Sequence, residues 1–244
     1  ARRNLRVGRG DRRGAFRLFL FFVAAATGAW LLFDLRLQDL DLRRVFYELS
    51  AGRALAHGLL HAATASVCYL ALEPFVRRLW PETLISWSRL LIDGVRDRLV
   101  GRDILVGATL GIAKLTLDTL LIPVSAALDV PPTAPHVVDR LVEGGPVIGL
   151  RTTLGDLLIH ATQWTGIAMI VLLMLLLVRL VTRSNWATAI LIIVVIGTLA
   201  VLSIPESGIG RAILSAQMLV FLALQIFVAL RYGLLAMISF LFFF

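Results

Sequence analysis

The chain has 244 residues, of which 59% are hydrophobic and 16% are charged, and its formal net charge is +8. A water-soluble domain usually has about a quarter of its residues charged, so this composition excludes an ordinary soluble globule and predicts a protein surrounded largely by lipid. Of the 24 basic residues, 23 are arginines, and they lie in short clusters between apolar runs. We therefore expect the lipid bilayer, and no nucleic acid, as the partner of these arginines.

Six apolar runs are long enough to cross the membrane as helices, since about 20 residues span about 30 Å of hydrocarbon. Their continuous apolar character favours helices over a barrel. The predicted spans are 16–33, 55–72, 104–128, 157–178, 186–204 and 213–230. A further run begins at residue 234 and ends with the chain at Phe244. We predict an all-α, polytopic helical membrane bundle of six transmembrane helices plus a truncated seventh, and expect a fragment of a longer polypeptide.

The arginines predict how the chain threads through the membrane. The segments on one side of the six spans carry sixteen arginines, and those on the other side carry seven. Cytoplasmic loops are enriched in arginine and lysine, so the richer side is predicted to be cytoplasmic. Residues 1–15 then form a cytoplasmic, arginine-rich juxtamembrane segment that attracts anionic lipid headgroups. Residues 16–244 form the transmembrane domain.

The cytoplasmic connection at 74–103 is predicted to contain an interfacial amphipathic helix. Pro81 suits a first helical turn, and the apolar residues that follow share one face at helical spacing. Such a helix would lie at the headgroups. The apolar face is formed by Leu84, Trp87, Leu91 and Val95.

The end of the second span is expected to be anchored at the same interface. Glu73, Arg77 and Arg78 form a charged stop, in which the arginines extend towards the headgroups. Trp80 and Trp87 follow as aromatic interfacial anchors.

Lys114 and Asp118 are charged residues near the middle of the third span. A charge in the hydrocarbon costs about 3 kcal/mol or more, so both residues are candidates for a proton or substrate pathway. They are also four residues apart, a spacing at which they could simply neutralise each other. Gly107 and Gly111 continue the same face and would allow a neighbouring helix to pack closely. The other intramembrane polar candidates are Gln163, Gln217 and Gln225.

Four histidines are predicted to lie on the outer side of the membrane. His57 and His61 are one turn apart in the second span, His160 is in the fourth, and His136 is in a loop. A haem, metal or pigment could use His57 or His61 together with His160. However, two histidines of one helix cannot both be axial ligands of one iron, and no second helix carries a matching pair. We therefore predict no cofactor, and hydrogen-bonding interfacial histidines are the alternative.

No catalytic signature occurs in the sequence. It has no GxxxxGK[ST] phosphate-binding loop, no GxSxG elbow, no HExxH helix and none of the protein-kinase motifs. We assign no catalytic residue to this chain.

The chain resembles the C-terminal membrane region of a family of bacterial, acidobacterial-type serine/threonine protein kinases. The similar stretches are RRNLRVGRGDRRGAFRLFLF at 2–21, YLALEPFVRRLWPETLISWSRLL at 69–91 and LVGRDILVGATLG at 99–111. In that family a cytoplasmic kinase domain precedes an arginine-rich linker and a multi-span membrane module. The resemblance implies a bacterial inner-membrane location and an anchoring or signal-sensing role, with the catalytic domain outside this chain.

Two other functions are compatible with the sequence. The histidines would suit an integral subunit, accessory or cofactor-binding, of a membrane bioenergetic or photosynthetic complex. The pair Lys114 and Asp118 would suit a small-solute or proton transporter, although we find neither an inverted repeat nor a pair of broken helices. A homo-oligomer or a larger membrane complex is compatible with all three functions.

Overall fold

A computed structural model describes residues 11–34, 53–94, 96–127, 149–204 and 208–244. These residues are almost entirely helical, and they contain no β-strand. Six of their helices are long and apolar enough to cross a membrane, which confirms the predicted all-α helical bundle. The helices are α1 Arg12–Asp34, α2 Arg53–Leu79, α3 Ile85–Asp93, α4 Arg98–Ala127, α5 Leu150–Thr182, α6 Asn185–Ser203, α7 Gly208–Arg231 and α8 Leu234–Phe243.

Several helices continue beyond the apolar runs that predict them. The clearest case is α5, which has 33 residues where the sequence predicts a span at 157–178. At a rise of 1.5 Å per residue its length is about 50 Å, well above the hydrocarbon thickness of about 30 Å. Its ends, which carry Arg151 and Arg179, can therefore extend to the depth of the headgroups.

The segment after α2 differs from the predicted interfacial helix. Pro81–Leu84 forms a single 3-10 turn, and α3 follows and ends at Gly94, which has a φ of 77°. The apolar face of this segment is covered by protein, because Leu84 and Trp87 are buried and α3 packs against α4 and α8. Leu84 and Trp87 are thus covered by protein, the position of this segment at the headgroups stays a prediction, and Val95 lies outside the described residues. The sequence pattern correctly indicates an apolar face on this segment. It cannot show which neighbouring helices cover that face.

The described residues divide into two compact units, the first of which contains α1, α2 up to Arg78 and α5 up to Ile170. In this unit α1 and α2 are antiparallel. The hydroxyl of Ser66 in α2 donates to the carbonyl of Ala15 near the start of α1, and Gly58 near the start of α2 approaches Ala26. The end of α1 meets the start of α5, since Arg151 donates to the carbonyl of Leu31.

The second unit contains α3, α4, the rest of α5, and α6 to α8. Here α8 packs along α4, and α7 packs along α6. The turn between α7 and α8 requires glycine at Gly233, whose φ is 99°. A Cβ at Gly233 would also lie 2.5 Å from the carbonyl oxygen of Thr83, so the 3-10 turn and the start of α8 are in backbone contact.

Large apolar side chains remain exposed along the candidate spans. On α6, Val194, Leu199 and Leu202 all have more than half of their surface exposed. Contiguous apolar surface of this kind is not tolerated in water but is the normal outer face of a membrane helix. The exposed residues therefore agree with a protein whose surroundings are lipid.

Candidate functional site

The charged pair in the third span lies inside the protein. Nζ of Lys114 forms an ion pair with Oδ2 of Asp118, one turn further along α4. Lys114 is 3% exposed and Asp118 is 8% exposed. Lys114 follows the first residue of α4 by 16 positions in a helix of 30 residues, so the pair is close to the middle of the span. Both charges are thus withdrawn from the lipid as well as from water.

Aromatic rings surround the ammonium group of Lys114. Its Nζ lies 5.0 Å from the ring centroid of Phe244 and 6.0 Å from that of Phe221 in α7. These are cation–π distances, and such contacts stabilise a desolvated cation. The second carboxylate oxygen of Asp118, Oδ1, is buried and accepts no hydrogen bond from the described residues. The pair is therefore well compensated at the lysine and incompletely compensated at the aspartate.

Gly107 and Gly111 are in close contact with α8. A Cβ at Gly107 would lie 2.7 Å from Cβ of Ser239 and 2.9 Å from the backbone nitrogen of Phe240. A Cβ at Gly111 would lie 2.6 Å from the carbonyl oxygen of Phe240. The hydroxyl of Ser239 also donates a 2.8 Å hydrogen bond to the carbonyl of Ile104 in α4. The two glycines therefore create the space in which the backbone of α8 lies.

The two glutamines of the sixth span lie on the face of α7 that reaches Lys114. Gln217, Phe221 and Gln225 are spaced four residues apart and so share one side of the helix. Gln225 is buried, and Gln217 is half-buried. Of the three residues, Phe221 is the one that the sequence did not single out, although it contacts the lysine.

A second polar cluster joins the start of α1 to the end of α2 in the first unit. The backbone N–H of Asp11 donates a 2.6 Å hydrogen bond to Oε2 of Glu73, and Arg77 pairs with Oε1 of Glu73 at 2.8 Å. The hydroxyl of Tyr69 donates to Oδ2 of Asp11 at 3.3 Å. Oδ1 of Asp11 accepts the N–H of Gly14, the contact of an N-cap residue. The buried carboxylate of Glu73 therefore holds the capped end of another helix.

Glu73 and Arg77 were predicted from the sequence as residues of this region, whereas Asp11 and Tyr69 were not. An aspartate directly before a helix is a recognisable capping signal, so Asp11 could have been found from its position before Arg12. Tyr69 gives no such signal, because only the packing of α1 on α2 brings it to Asp11. Arg77 and Arg78 are exposed at the end of α2. Their predicted extension to the headgroups stays a prediction.

The tryptophans expected at the interface have different surroundings. Trp87 is 4% exposed, and Trp80 is also buried and donates from Nε1 to Oδ1 of Asn185 at 3.0 Å. Neither ring presents an exposed face, so packing within the second unit accounts for both residues. Trp186, which directly follows Asn185, is 81% exposed and has the exposure expected of an aromatic anchor.

A groove of about 860 Å³ opens among the three helices of the first unit. Its walls are mainly apolar, and Phe22 and Trp30 from α1 contribute aromatic rings. Its polar residues come from two helices and include none of Asp, Glu, Lys or Arg among the described lining residues. The polar lining residues are His61, Thr64 and Cys68 from α2 and Thr162 and Gln163 from α5.

The histidines are distributed over different surroundings. His61 lines the groove, whereas His160 is half-buried and stacks on Trp164 with ring centroids 6.3 Å apart. The side chain of His57, and all of His136, lie outside the described residues. Across the described ranges no three His, Cys, Asp or Glu residues are grouped so as to hold a metal ion. The prediction of no cofactor, and the alternative of a cofactor that uses His61 and His160, both stay predictions.

No known family model, curated protein or solved structure matches the chain. The fold defines the class, which is that of polytopic helical membrane proteins.

Proposed function

We propose that the chain is the membrane-anchoring and signal-input region of a bacterial serine/threonine protein kinase whose catalytic domain lies outside it. The proposal starts from the three stretches at 2–21, 69–91 and 99–111 that resemble this family. The structural observation that carries it is the hydrogen bond between the N–H of Asp11 and Glu73. It occurs where the arginine-rich segment enters the first helix, the point at which a preceding domain would be attached.

The contacts of Glu73 suggest how such a module would act. A domain that precedes Asp11 would be connected to α1, and the start of α1 is joined to α2 by hydrogen bonds with Glu73, Tyr69 and Ser66. A shift of α2 along α1 would break the hydrogen bond between Asp11 and Glu73 and release the first turn of α1 from this carboxylate. A ligand that binds one arrangement of α1 and α2 more tightly than the other would shift the population towards that arrangement. The size of the shift would be set by the ligand's difference in affinity for the two arrangements, and the attached domain would respond to it.

The arginine distribution supports the same arrangement. With sixteen arginines on the side of residues 1–15 and seven on the opposite side, the positive-inside rule assigns the start of the chain to the cytoplasm, where a kinase would find ATP. Reporter fusions placed before Phe16 and next to Pro135 test this threading. We expect activity of a cytoplasmic reporter only at the first site and of a periplasmic reporter only at the second. Both reporters on one face of the membrane would contradict the threading.

The kinase itself is tested with the full parent polypeptide. We expect an open reading frame with a kinase domain before Ala1, and autophosphorylation of that protein after reconstitution in liposomes. Glu73→Ala should change the rate of autophosphorylation, whereas Glu82→Ala, at an exposed position of the 3-10 turn, should leave it unchanged. A parent frame without a kinase domain, or equal rates in all three proteins, would argue against signal input through α1.

A proton or small-solute transporter is the second candidate, and the unpartnered Oδ1 of Asp118 favours it. This buried carboxylate oxygen accepts no hydrogen bond from the described residues, so it is an acceptor that a transported solute could contact within the span. Flux into proteoliposomes, compared between the wild type and Asp118→Asn, separates this candidate from the first. Equal background flux in both proteins would eliminate it.

A further inference from the structure

Gln163 is an exposed amide within the candidate membrane span formed by α5. It lies six residues inside the apolar run at 157–178, which is about 9 Å along the helix. Its amide makes no hydrogen bond with the described residues. An amide carries two N–H donors and one acceptor oxygen, and lipid chains offer a partner for none of them. The described part of a single chain therefore leaves this amide unsatisfied in the hydrocarbon.

By contrast, two threonine hydroxyls of the candidate spans are satisfied by their own helices. The hydroxyl of Thr116 donates to the carbonyl of Ile112, four residues earlier in α4. The hydroxyl of Thr162, directly before Gln163, donates to the carbonyl of Ile159 at 2.8 Å. Contacts of this kind allow a threonine to face lipid. Gln163 has no such contact among the described residues, which indicates a hydrogen-bond partner from another molecule.

Gln163 lines the groove of the first unit, on a wall that another helix can approach closely. This wall extends along α5 from Ile159 to Ile170, which is about 16 Å or three helical turns. Gly166 lies one turn after Gln163, and a Cβ there would meet no atom within 4 Å. Ile170, one turn further along, is 53% exposed. Because residues 163, 166 and 170 share one side of the helix, α5 has an open face with an amide, a glycine and an exposed isoleucine.

A second copy of the chain supplies a partner for this amide at the correct depth. All copies cross the membrane in the same direction, so a twofold axis that relates two of them runs along the membrane normal. Rotation about this axis leaves every residue at its own depth, so Gln163 of one copy is level with Gln163 of the other. Two amides are self-complementary, since the N–H of each can donate to the oxygen of the other. A lipid chain offers no such partner, and an unrelated helix would need a polar residue at this depth.

We propose that the groove is the interface of a homodimer, in which α5 of each copy packs against the groove of the other and the two Gln163 amides are hydrogen-bonded across the twofold axis. Small residues in the lining, among them Ala26, Gly58 and Ala65, let helices approach closely. No Asp, Glu, Lys or Arg occurs among the described lining residues, so two identical faces meet without repulsion between like charges. The dimer goes beyond the kinase proposal and does not depend on it.

Oxidative cross-linking of the chain in liposomes tests this interface. The sequence has a single cysteine, Cys68, so Cys68→Ser gives a background without thiols. In this background we expect Ile170→Cys, which keeps Gln163 and Gly166, to form disulfide-linked dimers with copper phenanthroline at a low protein-to-lipid ratio. Ala63→Cys, at an exposed position of α2 outside the groove lining, is the matched control and should form none. Equal cross-linking at both positions, or none at Ile170→Cys, would overturn the proposal.

The affinity of the dimer tests the role of the amides. Energy transfer between copies labelled at the amino terminus, measured as lipid is added, gives the dissociation constant of the dimer. We expect Gln163→Leu to raise this constant by about three- to twentyfold, the effect of losing interhelical hydrogen bonds in a membrane, and Gln163→Asn to raise it less. An unchanged constant in Gln163→Leu would contradict the amide pair. Transfer no greater than that of random proximity would leave the groove to lipid chains or to another protein's helix, and would overturn the proposal.

Gly166→Leu blocks the interface without disturbing the fold of one chain. The new side chain enters open space in the monomer, and in the dimer it would lie between the two copies of α5. Gly101→Leu is the matched control, because a Cβ there also meets no atom within 4 Å and Gly101 is outside the groove lining. We expect only Gly166→Leu to abolish energy transfer, while both variants unfold in SDS no earlier than the wild type. Dimers that persist in folded Gly166→Leu would contradict the close approach of the two α5 helices.

Discussion

The backbone N–H of Asp11 is hydrogen-bonded at 2.6 Å to a carboxylate oxygen of Glu73, 62 residues further along the chain. Glu73 is 2% exposed, and its other oxygen pairs with the half-exposed guanidinium of Arg77. A buried carboxylate is tolerated only when its oxygens are satisfied by donors. The end of α2 therefore depends on the start of α1, and the reverse is also true.

Two substitutions of Glu73 should weaken this contact to different extents. Glu73→Ala leaves the N–H of Asp11 without its acceptor, and we expect a loss of about 1–3 kcal/mol in the free energy of unfolding. Glu73→Gln keeps one acceptor oxygen but loses the ion pair with Arg77, so a smaller loss is expected. Unfolding by SDS in mixed micelles measures both values. An effect of Glu73→Ala no larger than that of the exposed Glu82→Ala would show that the contact adds nothing to stability.

Addition of one methyl group at Gly107 should displace α8 from α4. The new Cβ would lie 2.7 Å from Cβ of Ser239 and 2.9 Å from the backbone nitrogen of Phe240, and a backbone cannot move aside locally. We expect Gly107→Ala to cost about 1–3 kcal/mol, the range of overpacked interiors.

Gly101→Ala is the matched control on the same helix. A Cβ there would meet no atom within 4 Å, and alanine is favoured over glycine in a helix. This variant should be neutral or slightly more stable in the same SDS titration. Equal stability of the two variants would contradict the close approach of α8.

The features that the sequence predicts correctly are local ones. A span is recognised from about 20 consecutive residues, so the six long helices follow from composition alone. The contact between Lys114 and Asp118 follows from the geometry of one helix, in which residues four apart are neighbours. Gly107 and Gly111 likewise share a face within α4, whatever packs against them.

The features that the sequence does not reveal depend on distant partners. The indole N–H of Trp80 donates to Asn185, which is 105 residues away, and no local pattern in the sequence indicates this contact. The groove combines His61 of α2 with Gln163 of α5, and helix periodicity cannot show which faces of two helices converge. The six spans are mainly apolar, so few polar residues in the sequence indicate which helices pack against each other.

The stability of the first turn of α4 should depend on pH because of Asp97. Its carboxylate accepts 2.8 Å and 2.7 Å hydrogen bonds from the guanidinium of Arg89 and from the N–H of Leu99. The hydrogen bond from Arg89, followed by that from Leu99, lowers the pKa of Asp97 below its usual value of 3.8. A carboxyl group whose pKa is lower in the folded state contributes stability that is present above pH 3.8. This contribution is lost as the pH falls through the folded-state pKa.

Hydrogen exchange at the first turn of α4 measures this dependence. We expect the protection of the Leu99 amide to be constant at neutral pH and to decrease only below about pH 4, the usual range of an aspartate in water. In Asp97→Asn this decrease should be absent, because the amide does not titrate in this range. A decrease of the same size in both proteins would assign it to other carboxylates.

The ion pair of Lys114 and Asp118 should show strong coupling between its partners. Removal of one charge leaves the other buried without its counter-charge, so Lys114→Met is expected to cost about 3–5 kcal/mol in the free energy of unfolding. Removal of both charges in Lys114→Met/Asp118→Leu takes away the pair together with the cost of desolvating it, and such replacements are often neutral.

A double-mutant cycle with Lys114→Met, Asp118→Leu and the double variant, measured by SDS titration, gives the coupling free energy between the two charges. We expect the double variant to be more stable than Lys114→Met alone, and close to the wild type if the rings of Phe221 and Phe244 pack against the new methionine as they do around the ammonium group. A double variant that loses the sum of the two single losses would show that each charge acts independently. The i,i+4 contact in α4 would then contribute nothing to the stability of the bundle.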